Sequence, residues 1–334
     1  MDRTIDNPSI NASQPETVSV RSRERMPKEI WPNFFIVGAP RAGTTSLYEY
    51  LRRVPGIYMS PVKEPHYFAP DIMERYLGRP RLPFARDSKV RSQAKYLNLF
   101  KNVKDEIAVG EASASYLSDP EAPGRIKEVV PEARIIMILR DPVERVYSHY
   151  LLDAGNGWQR APFEEAARMD IYLEPSLYAK QVQRDLDVFG PDHVKILIFE
   201  EFIQNPRKTV SEVLKFLGVN AEPPAIVGEV FNSFTIPRRP FIGRIMRNRP
   251  VRIAMRLLID PRTRKIIRRQ VFGKKANKPP MTEKTRRFLE DVFRGDVLDL
   301  EQILGRALPW FHAGDHVAQD RDKMTTANNG TARG

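Results

Sequence analysis

Uninterrupted apolar runs alternate with segments of helical periodicity over the first two thirds of the chain. The strand-type runs lie at 33–37, 135–139 and 193–199. A run without polar alternation is typical of a parallel strand that is covered on both faces. Apolar side chains recur at helical spacing behind the first run, at 44–53, and behind the third, up to Gly218. The pattern predicts an α/β domain built on a parallel sheet.

The loop after the first run has the spacing of a phosphate-binding loop. Residues 38–46 read Gly-Ala-Pro-Arg-Ala-Gly-Thr-Thr-Ser, which matches G-x-x-x-x-G-K-[ST] except that Thr44 replaces the lysine. Its N–H groups and the helix N-terminus at Thr44 are suited to a 5′-phosphate, and Arg41 supplies a cation inside the loop. Without the lysine the loop is poorly suited to splitting a triphosphate. A Gly/Pro turn without a ligand is the other interpretation.

A second candidate anion site follows the second apolar run. Arg140 comes at the carboxyl end of this predicted strand, where open α/β sheets bind ligands. Asp141-Pro142 then has the form of a helix start, with Asp141 as the cap, and Ser148 lies two turns further on. The forked donors of Arg140 and the hydroxyl of Ser148 could bind one phosphate together. Taken alone, the same residues could be a helix start and a surface hydroxyl.

Together, P-R-x-G-T-T-S at 40–46 and R-D-P-x-x-R-x-x-S at 140–148 resemble the two phosphate sites of sulfotransferases that use 3′-phosphoadenosine 5′-phosphosulfate (PAPS). The pattern is most similar to bacterial and heparan-sulfate-type carbohydrate sulfotransferases. The resemblance implies a P-loop-containing three-layer α/β fold, with a central parallel sheet flanked by helices and a basic helical annex. It also implies a donor site, with the first loop at the 5′-phosphosulfate and Arg140 and Ser148 at the 3′-phosphate. The implied donor-binding residues are Pro40, Arg41, Ala42, Gly43, Thr44, Thr45, Ser46, Arg140, Ser148, Tyr178, Lys274 and Lys275.

The segment Pro61-Val-Lys-Glu-Pro-His-Tyr-Phe68 resembles the family segment that carries the catalytic glutamate. The resemblance places Glu64 as the base that takes the acceptor's proton, with Arg41 stabilising charge on the departing phosphate oxygen. His66 is a second candidate base. In the alternative interpretation Glu64 is a solvated loop acid and His66 a packed turn residue.

The chain departs from the heparan-type pattern at two positions. Arg41 stands where those enzymes carry lysine, and it cannot act as a proton donor near neutral pH. Ala112 stands where they place another lysine, in the segment that begins at Gly110. We therefore expect an acceptor site that does not recognise a polysulfated glycosaminoglycan in the same way.

The polar residues near both ends of the sequence and the amino-acid composition lead to further predictions about domain limits and metal binding. We expect one sulfotransferase domain at 31–312, between polar, disordered tails at 1–30 and 313–334. The chain has no cysteine, which excludes disulfides and thiolate metal sites, and its five histidines show no ligand spacing, so we expect no metal. No apolar run approaches the roughly 20 residues that span a bilayer. We expect a bacterial, cytoplasmic enzyme.

The net charge of +12 is concentrated in one segment. Residues 238–275 hold 14 Lys/Arg and one acid, Asp260, with prolines at 250 and 261. We expect an insertion of one or two basic amphipathic helices, suited to an anionic membrane surface at the inner face or to a polyanion. A solvated annex packed on the core is the alternative.

Two other classes of protein compete with sulfuryl transfer to a carbohydrate, glycolipid or other small hydroxylated acceptor. A P-loop kinase or ATPase would require a metal-binding acid after a strand, and Thr44 argues against it. A non-catalytic polyanion-binding protein would account for the basic segment but not for the two phosphate motifs. We expect no specific nucleic-acid partner.

Overall fold

The computed structural model describes residues 29–70, 90–229 except Gly157, and 280–311, together with Thr235–Ile236, Thr263 and Lys274–Lys275. The predicted tails lie outside the described residues except for their inner edge at 29–30. The predicted basic helices also lie outside them, apart from Thr263, Lys274 and Lys275.

A five-stranded parallel sheet forms the centre of the described domain. Its strand order is β2-β3-β1-β4-β5. The strands are β1 (Phe34–Gly38), β2 (Ile57–Met59), β3 (Ala108–Ala112), β4 (Arg134–Leu139) and β5 (Val194–Ile198). Every residue of β1 and β3 is buried, as is all of β4 except its first residue. The first two apolar runs thus correspond to strands covered on both faces, as predicted for a parallel sheet, whereas β5 at the edge of the sheet has two half-buried residues.

Helices surround this sheet. They are α1 (Thr44–Leu51), α2 (Gln93–Leu97), α3 (Ala122–Val129), α4 (Pro142–Asn156), α5 (Phe163–Ala166), α6 (Asp170–Leu173), α7 (Ala179–Phe189), α8 (Phe199–Gln204), α9 (Pro206–Leu217) and α10 (Glu283–Leu304). Short 3₁₀ turns lie at Asn98–Phe100, Glu174–Ser176 and Pro191–His193. Helix α1 contacts β1 to β3, α7 contacts β4 and β5, and α10 packs on α4 and α7. Thr235–Ile236 (β6) and Lys274–Lys275 (β7) form a separate antiparallel pair.

The sequence-based element limits need small corrections. The helix predicted at 44–53 ends at Leu51, and the strand predicted at 193–199 ends at Ile198 because Phe199 begins α8. Ser176 ends the 3₁₀ turn Glu174–Ser176, and α7 begins at Ala179. The start of α4 agrees with the prediction, since the Asp141 carboxylate accepts from the Val143 and Glu144 amides at 2.8 and 3.0 Å.

The packing of the sheet explains one glycine. A Cβ at Gly110 of β3 would overlap the ring of Phe34 on β1. Glycine at this position therefore leaves room for the Phe34 ring between β1 and β3, at the amino-terminal start of β1.

Candidate active site

The two predicted phosphate motifs lie past the carboxyl ends of neighbouring strands. Strands β1 and β4 pair in parallel from Phe34 with Arg134 to Gly38 with Met137. The loop 39–43 follows β1 and Arg140 follows β4, so the two loops share one edge of the sheet. Ligands bind at this edge in open parallel sheets.

The first loop ends in a helix N-terminus. Gly43 has φ 92°, in the left-handed region, and α1 begins at the next residue. The first N–H groups of a helix have no partner within it, and the helix dipole adds partial positive charge there. The loop backbone and the first turn of α1 are therefore suited to an anionic group, as predicted for Gly43 to Ser46.

The arginine of each motif donates a hydrogen bond to a residue of the other motif. Arg41 Nε donates to Ser148 Oγ at 3.2 Å, and Arg140 Nη1 donates to the Arg41 carbonyl at 3.0 Å. Burial lowers the pKa of Arg41, and the nearby charge of Arg140 is the second largest cause of this decrease. The two predicted subsites thus form one continuous cluster.

A third guanidinium lies beneath this cluster. Arg145, fully buried in α4, donates to Ser176 Oγ and to the Tyr172 carbonyl. Burial, together with the charges of Arg140 and Arg41, lowers its pKa to about 10. Within the described residues, Arg140 Nε and Arg145 Nη1 are buried without a hydrogen-bond partner. Clustered guanidinium groups with unused donors fit an anionic ligand such as a phosphate.

The predicted base lies on a loop that follows β2 and runs along β3. Glu64 N donates to the Ala112 carbonyl at 2.9 Å, which fixes the loop at the end of β3. The Glu64 carboxylate lies between Lys63 Nζ, 2.5 Å from Oε1, and His66 Nε2, 3.6 Å from Oε2. His66 Nδ1 is 2.7 Å from Ser115 Oγ. The structure thus brings Glu64 and His66 together, in an arrangement that can accept a proton.

All three candidate catalytic residues have left-handed backbone. The φ angles are 72° at Arg41, 63° at Glu64 and 55° at His66. Such angles are uncommon for residues other than glycine, and they persist only where neighbouring structure imposes them. Because such residues cluster at active sites, this observation supports the assignment of both loops to one site.

Comparison with known proteins identifies the family. The pattern that defines the sulfotransferase family matches residues 32–223. A solved sulfotransferase from Alicyclobacillus acidocaldarius is 31% identical, with a TM-score of 0.62 over 84% of this chain and 98% of that one. The chain belongs to the sulfotransferase family.

Two curated relatives give the range of this similarity. Mouse carbohydrate sulfotransferase 15 is 28% identical over 250 residues, which cover 56% of this chain and 44% of the relative. The human bifunctional heparan sulfate N-deacetylase/N-sulfotransferase 3 is 28% identical over 304 residues, which cover 83% of this chain and 31% of the relative. The chain thus matches less than half the length of these curated relatives.

Tyr178 supports the cluster of Arg41, Arg140 and Ser148. Its ring is fully buried, and its hydroxyl donates to the Arg140 carbonyl at 3.0 Å. Its own amide and that of Ala179 donate to the Asp296 carboxylate of α10, at 2.6 and 3.1 Å. Tyr178 therefore fixes the backbone that carries Arg140, while its predicted contact with the donor stays a prediction.

Two further predicted donor-binding residues lie in the short strand β7, and the described structure does not test their role. Lys274 and Lys275 form β7, so the predicted contact of their side chains with the phosphates stays a prediction. Within the described residues there is no group of three His, Asp or Glu side chains that could hold a metal ion. None of the helices in the described ranges combines the length and the apolar character needed to cross a bilayer.

Sequence reasoning missed two charged residues of the site. Arg145 is the second arginine of R-D-P-x-x-R, and its position inside the matched motif was the available signal. Glu111 is fully buried in β3, beneath the loop of Glu64. The signals were an acid within the otherwise small and apolar stretch Ala-Val-Gly-Glu-Ala and its place in the segment from Gly110 that resembles the family.

Proposed function

We propose that this sulfotransferase moves the sulfuryl group of PAPS to a hydroxyl or amine of a carbohydrate or lipid-linked acceptor, by in-line displacement. The observation that carries the proposal is the cluster of Arg41, Arg140 and Ser148 past β1 and β4. It offers charged hydrogen-bond donors for two phosphates. The loop that carries Glu64 lies at the carboxyl end of β3, the strand next to β1.

The proposed donor site divides into two halves. The backbone from Pro40 to Ser46 and the side chain of Arg41 bind the 5′-phosphosulfate. Arg140 and Ser148 bind the 3′-phosphate. Because Arg41 contacts Ser148 directly, both halves are occupied or rearranged together when the donor binds.

The proposed chemistry uses one base and one cation. Glu64 takes the proton of the acceptor group as its oxygen or nitrogen forms the new bond to sulfur. The bond between sulfur and the bridging phosphate oxygen breaks, and its electron pair leaves with the phosphate. Arg41 stabilises the charge that develops there. His66, which faces Glu64 Oε2, is the second candidate for the base.

The acceptor class is supported by the names of the relatives, which act on carbohydrates or heparan sulfate. Ala112 stands in place of the lysine of the heparan-type pattern, so the acceptor contacts of this chain differ from theirs. Radiolabelled PAPS incubated with desulfated heparin, desulfated chondroitin and fractionated extract of the source cells would identify the acceptor. Incorporation into none of these would contradict the carbohydrate assignment.

The donor is tested separately by ligand-induced stabilisation. Adenosine 3′,5′-bisphosphate should raise the melting temperature, and adenosine 5′-monophosphate should raise it much less, because the 3′-phosphate engages Arg140 and Ser148. Equal shifts would remove the 3′-phosphate assignment. A larger shift with ATP would instead favour a P-loop kinase or ATPase.

The cellular location is a further part of the proposal. We infer a cytoplasmic protein whose single domain, at 31–312, contacts anionic membrane through 238–275. The support is the charge of this segment, most of which lies outside the described residues. The protein should sediment with acidic-lipid vesicles, and salt should release it. Donor binding without vesicle binding at low salt would eliminate the membrane contact.

A further inference from the structure

Glu111 is a fully buried carboxylate that the proposed mechanism does not use. Its three hydrogen-bond partners in the described structure are hydroxyl groups. Tyr116 and Tyr96 donate to Oε1 at 2.6 and 3.0 Å, and Ser113 Oγ donates to Oε2 at 2.8 Å. Burial raises the pKa of Glu111 to about 7. A buried carboxylate is costly even when it is hydrogen-bonded, so its presence here calls for a reason.

Two of these hydroxyls also contact the loop that carries the candidate bases. Ser113 Oγ accepts from the His66 amide at 3.2 Å, and Tyr116 Oη accepts from the Phe68 amide at 3.3 Å. A hydroxyl has a single proton to donate. Because Glu111 takes that proton in each case, the lone pairs of both oxygens are left for the two loop amides.

The loop needs such support because of its backbone. Glu64 and His66 have φ angles of 63° and 55°, and Glu64 precedes a proline, a position that favours extended backbone. Strain of this kind persists only where the surroundings fix it. The Ala112 carbonyl holds Glu64, and the two hydroxyls hold His66 and Phe68.

We propose that Glu111 is a positioning residue, which orients the Ser113 and Tyr116 hydroxyls as acceptors and thereby fixes Glu64 and His66 in the geometry that proton transfer requires. The consequence for catalysis rests on the proposed function. The orientation of the loop by Glu111 does not, and it is measurable without a substrate.

The two tyrosines provide a matched pair of variants. Tyr116→Phe and Tyr96→Phe each remove one hydroxyl from the same carboxylate oxygen, and both rings are almost fully buried. Only Tyr116 also accepts from the loop. Tyr116→Phe should therefore speed amide hydrogen exchange at Phe68 about tenfold or more, and Tyr96→Phe should not. Equal exchange rates in the two variants would overturn the proposal.

A second set of variants tests Glu111 itself and guards against misfolding. Glu111→Gln and Ser113→Ala should speed exchange at His66, whereas Ser113→Thr, which keeps the hydroxyl, should restore protection. In transfer assays with PAPS and desulfated heparin, Glu111→Gln should lower kcat roughly tenfold to a hundredfold. The affinity of Glu111→Gln for adenosine 3′,5′-bisphosphate should stay within about twofold of that of the parent protein, since Glu111 is not part of the proposed donor site.

The outcomes separate the two proposals. If the parent protein shows neither transfer nor nucleotide binding, the proposed function fails while the exchange rates still decide the role of Glu111. If Glu111→Gln leaves exchange at His66 unchanged, or lowers donor affinity as much as kcat, the positioning role is wrong whatever the acceptor.

Discussion

Two parts of the sheet edge hold their polar groups by different means: the proposed donor side, where β1 and β4 end, and the proposed base side, where β2 and β3 end. On the donor side, guanidinium groups contact one another's loops, as in the bond from Arg140 to the Arg41 carbonyl. On the base side, neutral hydroxyls around one buried acid hold the loop of Glu64 and His66. Like charges gathered on the donor side favour an anion, whereas the hydroxyls that hold the base-side loop fix its geometry without adding positive charge. This difference distinguishes residues proposed to bind the phosphates of the donor from residues proposed to position the catalytic base.

The largest expected effect comes from the base side alone. Glu64→Gln keeps the shape of the side chain and removes its basicity, so turnover should fall by roughly 10²–10⁴-fold while donor affinity is nearly unchanged. Steady-state kinetics together with calorimetric titration of adenosine 3′,5′-bisphosphate would measure both quantities.

Two other variants complete this measurement. Glu49→Gln changes an acid that also has cationic neighbours, Arg52 and Arg53, but that lies on α1, and it should leave turnover unchanged. If Glu64→Gln retains turnover and His66→Ala abolishes it, the base is His66. If Glu64→Gln lowers donor affinity as much as turnover, Glu64 contributes to donor binding, and the proposed separation of a binding side from a base side is wrong.

The buried acid of the base side should also give the protein a pH-dependent stability. Burial raises the pKa of Glu111 from 4.5 to about 7, so between these values the folded protein binds more protons than the unfolded chain. The free energy of unfolding must then fall as pH rises through that window. Denaturant titrations across it should show a fall that is larger in the parent protein than in Glu111→Gln by about 3 kcal/mol.

The design of this comparison isolates Glu111. Burial also raises the pKa of Asp185 to about 7, but Asp185 is present in both proteins and cancels in the difference. The donor-side arginines stay charged throughout the window. Equal pH slopes in the two proteins would mean that Glu111 is ionised in the folded state well below pH 7.

The same contrast explains how much the sequence could predict. The donor side is built from two short segments, 38–46 and 140–148. Each one connects the end of a strand to the helix that follows it. Each could therefore be recognised by spacing, and the structure brings them together as expected. The strands that carry them were predicted because buried parallel strands are uninterrupted apolar runs.

The base side could be predicted only in part, because its contacts join residues that are far apart in the chain. Glu64 and His66 were found through resemblance, but the hydroxyls that hold His66 and Phe68 come from 47 and 48 positions away. Asp296, which caps α7, lies 118 positions from Tyr178. No local pattern specifies such pairs, since they follow from the packing of strands and helices around the sheet.

The smallest expected effect tests the proposed donor side with a matched pair of arginines at the two ends of one strand. Arg134 and Arg140 stand at opposite ends of β4, and each donates Nη1 to a backbone carbonyl at 3.0 Å. Only Arg140 lies at the ligand-binding edge of the sheet. Arg140→Ala should weaken binding of adenosine 3′,5′-bisphosphate by about 1.5–3 kcal/mol through loss of a charge-assisted contact, and Arg134→Ala should not weaken it. Calorimetric titration with the 3′,5′-bisphosphate and with the 5′-monophosphate separates the two phosphates, because the loss should be confined to the former. An equal loss for both nucleotides would mean that Arg140 acts by holding Arg41 and its loop rather than by binding the 3′-phosphate.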